Sequence, residues 1–295
     1  MNEADFIAAL RTLPLHPGAH GLLDDTATLT IGGETLVLTH DAIAEGVHYL
    51  PGTDPADIAW KLVAVNLSDL AAKGAEPIGV LIGATLSDER FIEGLRDILE
   101  TYKVPLLGGD TIATSPAVFG CTAIGRATGP IPTRNGAKVG DLIWLTGSIG
   151  AAMIGYQTLR DQAADLPEEE AVYGDTSRYL RPVPRLYEGR ALAPHVHAMM
   201  DVSDGLLLDA SRIAVASNCT LAIQQDRVPF SPGACDLREL EALGWGDDYE
   251  LLFTAPESFD PPIDATCIGH VLAPGPAPLL LDGMPPTGDL GYEHR

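Results

Sequence analysis

Six short stretches of this chain carry aspartate beside glycine, serine or threonine, and most stand where an apolar run stops. They are Leu23-Asp24-Asp25-Thr26, Thr39-His40-Asp41, Asn66-Leu67-Ser68-Asp69, Gly108-Gly109-Asp110-Thr111, Asp201-Val202-Ser203-Asp204-Gly205 and Gly246-Asp247-Asp248-Tyr249. Binding groups are concentrated on loop ends held by a rigid scaffold. A fold that gathers several of these carboxylates must also supply positive charge, because two unit charges ~4 Å apart repel by roughly 4 kcal/mol at an effective dielectric of ~20. Divalent metal relieves that repulsion, and ligands that are all oxygen select hard ions such as Mg²⁺. Each stretch alone reads equally well as a helix cap or a turn; six together point to a shared acidic site.

At 295 residues the chain is near the size at which one core divides into two domains. No apolar run approaches the ~20 residues of a membrane span. The first residues, with Asn2, Glu3 and Asp5, lack the basic-then-apolar order of a signal peptide. Cys121, Cys219, Cys235 and Cys267 are widely spaced, with no C-x-x-C. Neither a zinc site nor a disulfide framework is expected, and a reducing cytoplasm fits best. The net charge of −23 argues against nucleic acid as a partner and against long-range attraction of an anionic substrate. A chain this acidic that handles phosphates needs metal ions as its local positive charge.

The apolar pattern predicts α/β architecture. A first helix follows Asn2 to about residue 13, and residues 27–31 and 35–39 form a hairpin around Gly32-Gly33. Asp54-Pro55 is an N-cap followed by proline at the first helical position, and Lys73-Gly74 marks that helix's end. Within it Ile58, Leu62 and Val65 form one stripe, while Asn66 and Asp69 share a face. Strands are expected at 77–86, 104–107 and 118–126, with a helix at 88–102 between the first two. Gly129-Pro130-Ile131-Pro132 and Asn135-Gly136 mark a boundary, giving domains 1–133 and 134–295. In the second half, strands are expected at 141–146, 221–224, 250–254, 266–271 and 279–281, and helices at 151–162, 184–192 and 206–216. Gly147-Ser148-Ile149-Gly150 reads as a strand-to-helix cap, not a Walker A loop, since no G-K-[ST] follows. The acidic stretch 161–175 is expected to be solvated.

Taken in order, several motifs resemble thiamine-monophosphate kinase, of the superfamily that includes aminoimidazole ribonucleotide (AIR) synthetase and selenophosphate synthetase. They are Asp24-Asp25, Thr39-His40-Asp41 with Glu45-Gly46-Val47-His48, Asn66-Leu67-Ser68-Asp69-Leu70-Ala71-Ala72, Gly108-Gly109-Asp110-Thr111, Arg134-Asn135-Gly136-Ala137, Leu180-Arg181-Pro182, Asp201-Val202-Ser203-Asp204-Gly205-Leu206 and Gly246-Asp247-Asp248-Tyr249-Glu250-Leu251. The chain departs from the family where Leu22-Leu23 replaces Ile-Gly before the paired aspartates, and where His40 replaces Ser or Thr. The resemblance implies a two-domain AIR synthetase-like fold. In it an N-terminal mixed sheet forms a barrel-like dimer core, a C-terminal α/β domain follows, and the protein is a homodimer.

The implied reaction is ATP-dependent phosphorylation of thiamine monophosphate to thiamine diphosphate, assisted by several Mg²⁺ ions. The acceptor is a phosphomonoester, largely dianionic at neutral pH because its second pKa is near ~6, so no general base is needed. That agrees with a chain rich in aspartate and without an evident nucleophile–base pair. By resemblance, Asp25, Thr39, His40, Asp41, Asp69, Asp110, Asp201 and Asp204 surround the metal ions, with Asp41, Asp110 and Asp204 central to catalysis. Tyr102, Gly109, Asp110, Arg126 and Ser203 are implied on ATP, and His48, Asp247 and Tyr292 on thiamine monophosphate. Two rival readings stand beside this one. An AIR synthetase-like enzyme would share the aspartates and differ in the acceptor pocket, and a noncatalytic nucleotide- or divalent-cation-binding protein would share the acidic site. Selenophosphate synthetase is disfavoured because the first cysteine is Cys121.

Overall fold

A computed structural model describes residues 3–167, 171–234 and 238–293. The chain begins with α1 (Glu3–Leu10), then the hairpin β1 (Ala27–Ile31) and β2 (Glu34–Ala44). α2 (Pro55–Ala72) starts as expected: the Asp54 carboxylate accepts the Ala56 N–H at 2.9 Å, and Lys73 caps the far end. β3 (Ala75–Thr85), α3 (Glu89–Tyr102), β4 (Leu106–Ile112) and β5 (Val118–Ala127) complete a five-stranded sheet in the order β1-β2-β5-β3-β4. Only the β3–β4 pair is parallel. α2 and α3 cover one face, where Val37, Leu62, Leu67, Val80, Ile98 and Phe119 are buried together.

The expected strand 104–107 needs correction. β4 begins at Leu106 and runs through Gly108-Gly109-Asp110 to Ile112, so the motif lies inside a strand instead of ending it. Gly109 permits this because a Cβ there would stand 1.8 Å from the Ile82 carbonyl oxygen of the neighbouring strand. Two glycines in an edge strand look like a strand terminator in sequence, yet here they allow close approach of backbones.

The second half contains β6 (Leu142–Thr146), α4 (Ala151–Ala163), one turn α5 (Ser177–Leu180), α6 (Leu186–Leu192), β7 (Ala198–Asp201), α7 (Leu206–Ser217), β8 (Thr220–Ile223), α8 (Glu239–Trp245), β9 (Leu251–Ala255), β10 (Ala265–Leu272) and β11 (Leu279–Leu281). Its sheet order is β11-β8-β10-β6-β9-β7, antiparallel except for β11 on β8. The sequence reading anticipated five of these strands and missed β7, whose Met199 and Met200 carry little strand preference. It also missed α5 and α8. Asp161 is not solvated: it is buried at the end of α4, accepts the Val172 N–H at 2.9 Å and pairs with Arg160. Residues 168–170 of that acidic stretch lie outside the described residues, as does Cys235.

α2 joins the halves. It is buried along most of its length and packs on β2, β3 and β5 of the first sheet and on β7 and α6 of the second half. Ala71 and Ala72 pack with Leu192, Met199 and Phe253. The approach is close because Gly189 on α6 lies over the helix; a Cβ there would meet the Ala71 carbonyl oxygen at 1.9 Å. A helix apolar all round, with Asn66, Ser68 and Asp69 on buried positions, belongs between two layers.

Candidate active site

A cavity of about 890 Å³ opens where the two halves meet. β2 contributes His40 and Asp41, the segments before β1 and after β2 contribute Asp25 and His48, and α2 contributes Asp69. The second half contributes Asp201, Ser203, Asp204, Asp247 and Tyr292. Ten of the residues singled out from sequence therefore share one wall-to-wall space.

At its floor, carboxylate oxygens of Asp25, Asp69 and Asp201 lie within 4.8 Å of one another. They come from the segment before β1, the last turn of α2 and the end of β7. Asn66 and Asp69 share the expected helix face, turned to β2: Asn66 Oδ1 accepts the Asp41 N–H at 2.9 Å, and the Thr39 hydroxyl donates to Asp69. Ser68 Oγ donates to Asp201 Oδ2 at 2.5 Å, across the two halves.

The electrostatics follow from burial. Desolvation, with the charge of Asp25 added, pushes the Asp41 carboxyl up to about 6 and that of Asp201 up to about 8. Asp69 rises well above the usual carboxylate range for the same reason, with Asp41 and Asp201 as its charged neighbours. Asp25 goes the other way. Burial opposes its charge, but Arg134 and Lys73 hold its carboxyl well below the usual range. This is a site that binds protons, or another positive charge, at neutral pH.

Sequence reasoning missed the cations. Lys73 Nζ lies 2.6 Å from Asp24 Oδ1 and 3.1 Å from Asp25 Oδ2, and its side chain is fully buried. Arg134 donates to Asp25 Oδ1, and it lines the cavity. Arg212 bonds Asp204 Oδ2 at 2.5 Å and Asp209 Oδ1 at 2.8 Å, while Asp209 accepts the N–H groups of Ser203 and Asp204. Lys61 Nζ, 4.1 Å from the centre of the Tyr179 ring, reaches Asp247 Oδ2 at 2.5 Å. The readable signal was lysine in apolar surroundings: Lys61 is the only charged residue between Asp57 and Asp69.

At the second-half end, Tyr156, Tyr179 and Trp245 form an aromatic wall. Tyr156 lies 5.5 Å from Tyr179 and 5.1 Å from Trp245, centre to centre. Asp247 sits beside it with φ +63°, a left-handed conformation unusual for aspartate and held by its N–H bond to the Ser203 carbonyl. His48 Nδ1 accepts the Ala44 N–H at 3.1 Å, which leaves Nε2 as the donor of a neutral ring. Asp248 does not face the cavity lining; it accepts the Gly150 N–H at 2.9 Å and so caps α4, a role the sequence assigned to Gly147-Ser148-Ile149-Gly150 itself.

Other expected site residues are not brought to this cavity. Thr39 is behind it, on Asp69. Tyr102 packs edge-on against Trp60, 6.2 Å away. Arg126, at the end of β5, pairs with Glu34 at 3.8 Å. Gly109 and Asp110 lie on the exposed edge strand β4. Asp110 pairs through Gly83 and Gly120 to Ala42, three strand spacings or ~14 Å away. It shares the sheet face of Ala42 and His40, opposite to that of Asp41.

Comparison with known proteins agrees with this architecture. Residues 23–127 match the AIR synthase related protein N-terminal domain and residues 138–260 its C-terminal domain. Thiamine-monophosphate kinase of Escherichia coli (strain K12) is 38% identical over 303 residues, spanning 93% of this chain and 91% of the relative. Among solved structures, AaThiL complexed with AMPPCP and TMP has a TM-score of 0.86 at 28% identity, covering 100% of this chain and 97% of that one. The thiamine-monophosphate kinase of Stenotrophomonas maltophilia K279a has a TM-score of 0.75 at 34% identity, covering 95% of each chain.

Proposed function

The chain belongs to the thiamine-monophosphate kinase family, within the AIR synthase related proteins, and from that premise we propose that it transfers the γ-phosphoryl group of ATP to the phosphate of thiamine monophosphate, giving ADP and thiamine diphosphate. The observation that carries the reading is the meeting of Asp25, Asp69 and Asp201 on the floor of a cavity whose wall also presents Arg134, His48, Asp247 and Tyr292. The acceptor dianion is already nucleophilic, so the work of the site is positioning and charge stabilisation.

The donor set fits Mg²⁺: it is all oxygen, convergent, and built of carboxyls whose lone charges burial disfavours. Asp25, Asp69 and Asp201 would hold the metal, with Asp41 and Asp204 on the adjoining wall and Thr39 fixing the Asp69 carboxylate. His40, whose ring Nδ1 is bonded to the Thr122 hydroxyl at 2.8 Å, would contribute through its backbone carbonyl. When bound, Mg²⁺ neutralises phosphate oxygens so that two polyanions can approach.

The protein's own groups do the rest. Arg134 offers a forked guanidinium to the phosphates, the part expected of Arg126. Ser203 lines the same wall, its N–H held by Asp209. His48 Nε2 donates to the acceptor phosphate. Asp247 and the ring of Tyr292 receive the cationic thiazolium, with the Tyr156–Trp245 wall beside them. We place the domain division between residues 133 and 134.

A second copy of the chain would bring Asp110 and Gly109, which lie on the edge strand β4, to such a site. The open face of the first sheet supports that arrangement, with Leu81, Leu106, Leu107 and Ile112 all exposed. The homodimer therefore has its sheets face to face, and Asp110 of each copy serves the cavity of the other.

The test is direct. Purified protein with Mg·ATP and thiamine monophosphate should form thiamine diphosphate and ADP in equal amounts, and chelator should stop both. ATP cleavage indifferent to thiamine monophosphate, or product formed from unrelated phosphate acceptors at the same rate, would overturn the assignment.

A further inference from the structure

Lys73 occupies an unusual place. It is the C-cap residue of α2, its side chain has no exposed surface, and its ammonium stands between Asp24 Oδ1 at 2.6 Å and Asp25 Oδ2 at 3.1 Å. Asp24 and Asp25 are themselves nearly sealed, at 5% and 8% side-chain exposure. Both oxygens of Asp25 are thus committed to protein cations, Oδ2 to Lys73 and Oδ1 to Arg134.

The two cations are not equivalent. Arg134 is 19% exposed, lines the cavity, and has a buried Nε without a hydrogen-bond partner, so it can exchange Asp25 for an incoming phosphate. Lys73 cannot leave. Its stem is fixed by the helix end, where its N–H bonds the Leu70 carbonyl at 3.2 Å, and its ammonium would be stranded in the interior without Asp24 and Asp25. Loading the site therefore frees one oxygen of Asp25 and not the other.

We propose that Lys73 is a resident cation standing in place of one divalent ion, so that Asp25 would have only the oxygen now bonded to Arg134 left to offer a metal. The inference rests on the magnesium reading given above. A tethered ammonium offers one fixed positive charge where the acidic floor would otherwise take a mobile ion.

The test counts ions. Mn²⁺ binding to the full chain would be measured by the loss of the free-ion paramagnetic signal, for the wild type and for Lys73→Met. A second variant, Lys73→Met with Asp24→Asn, removes the pair as a neutral unit and leaves no unpaired charge in the interior. Folding of each is checked by circular dichroism. The expected result is one additional Mn²⁺ per chain at saturation in whichever variant folds, with the wild type binding fewer. Equal numbers at equal affinity, or fewer ions in the variants, would overturn the role of Lys73 while leaving the magnesium reading intact. Absence of Mn²⁺ binding in every protein would remove the magnesium reading and this inference with it.

Discussion

Ser68 and Asp201 are 133 positions apart in sequence, yet Ser68 Oγ donates to Asp201 Oδ2 at 2.5 Å, and this bond ties the helix of one half to the last strand residue of the other. Both groups are buried. The bond does two things: it closes the cavity floor, and it fixes which Asp201 oxygen turns to Asp25 and Asp69. Ser68→Ala leaves a buried carboxyl oxygen without its donor. The expected cost is about 1–3 kcal/mol, read as a shift of the urea unfolding midpoint without metal. A midpoint equal to that of the wild type would mean that the two halves are not joined through this contact.

The acidic floor makes stability depend on pH in a direction set by its raised carboxyls. Asp41, at about 6, and Asp201, at about 8, keep protons in the folded protein that the unfolded chain releases near ~4. Between those values the folded state binds more protons, so stability falls as pH rises. Their contribution is complete below ~4 and is lost as pH climbs through 6 and then 8. Asp25, held low, contributes in the opposite sense, and its part is constant across this window. In chelator, the melting temperature should therefore drop from about pH 5 to about pH 8. Mg²⁺ should restore more at the alkaline end, because it binds the deprotonated floor. A flat profile in chelator, or equal Mg²⁺ gains at both ends, would contradict this account.

Much of this was legible in the sequence, and the misses share a cause. Helix caps such as Asp54-Pro55 and the period-two hairpin strands are local signals, and the structure follows them closely. Asp25, Asp41, Asp69, Asp201, Asp204 and Asp247 line one cavity, and they were legible as a group by residue type and neighbours; Asp110, from the same kind of motif, is not among them. Their partners were not: Lys73, Arg134 and Arg212 act on residues 49, 109 and 8 positions away, and no local pattern ranks one arginine over another. Arg126 reads as a strand-end cation in sequence; in the structure it pairs with Glu34, while Arg134 lines the cavity. β7 escaped because a four-residue strand of Ala, Met, Met and Asp has no periodicity to read; it exists because both its faces are covered.

Asp247 should govern affinity for the acceptor more than the chemical step. Its Oδ2 is held by Lys61, its backbone is held by Ser203, and it lines the cavity away from the Asp25 floor. Asp247→Asn keeps the shape and removes the charge opposite the thiazolium. The expected change is a rise of about 10-fold or more in KM for thiamine monophosphate, equivalent to ~1.4 kcal/mol or more, with kcat and the KM for ATP within a few-fold of wild type. Burial of Lys61 predicts a lowered melting temperature in the same variant. A fall in kcat at unchanged KM would place Asp247 in the phosphoryl-transfer step instead.

The separation of Asp110 from Asp41 allows a test of the dimer that no single variant provides. Asp110 stands three strand spacings, ~14 Å, from Ala42, on the opposite face of the sheet from Asp41, and is not brought to the cavity that Asp41 lines. If each cavity takes Asp41 from one copy and Asp110 from the other, Asp41→Asn and Asp110→Asn are each inactive as pure proteins. Mixed dimers differ. One of their two cavities carries both substitutions, and the other carries neither. Unfolding and refolding an equal mixture at random makes about half the molecules mixed dimers, each with one intact cavity. The mixture should therefore recover about a quarter of wild-type activity, with kcat per intact cavity unchanged. Activity should track the mixed fraction as the ratio of the two variants is varied. An Ile112→Glu change on the exposed edge should abolish the recovery and shift the mass in light scattering to that of a monomer. A dimeric mixture that recovers nothing would show that Asp110 does not serve the partner's cavity, and a fully active monomer would end the case for a shared site.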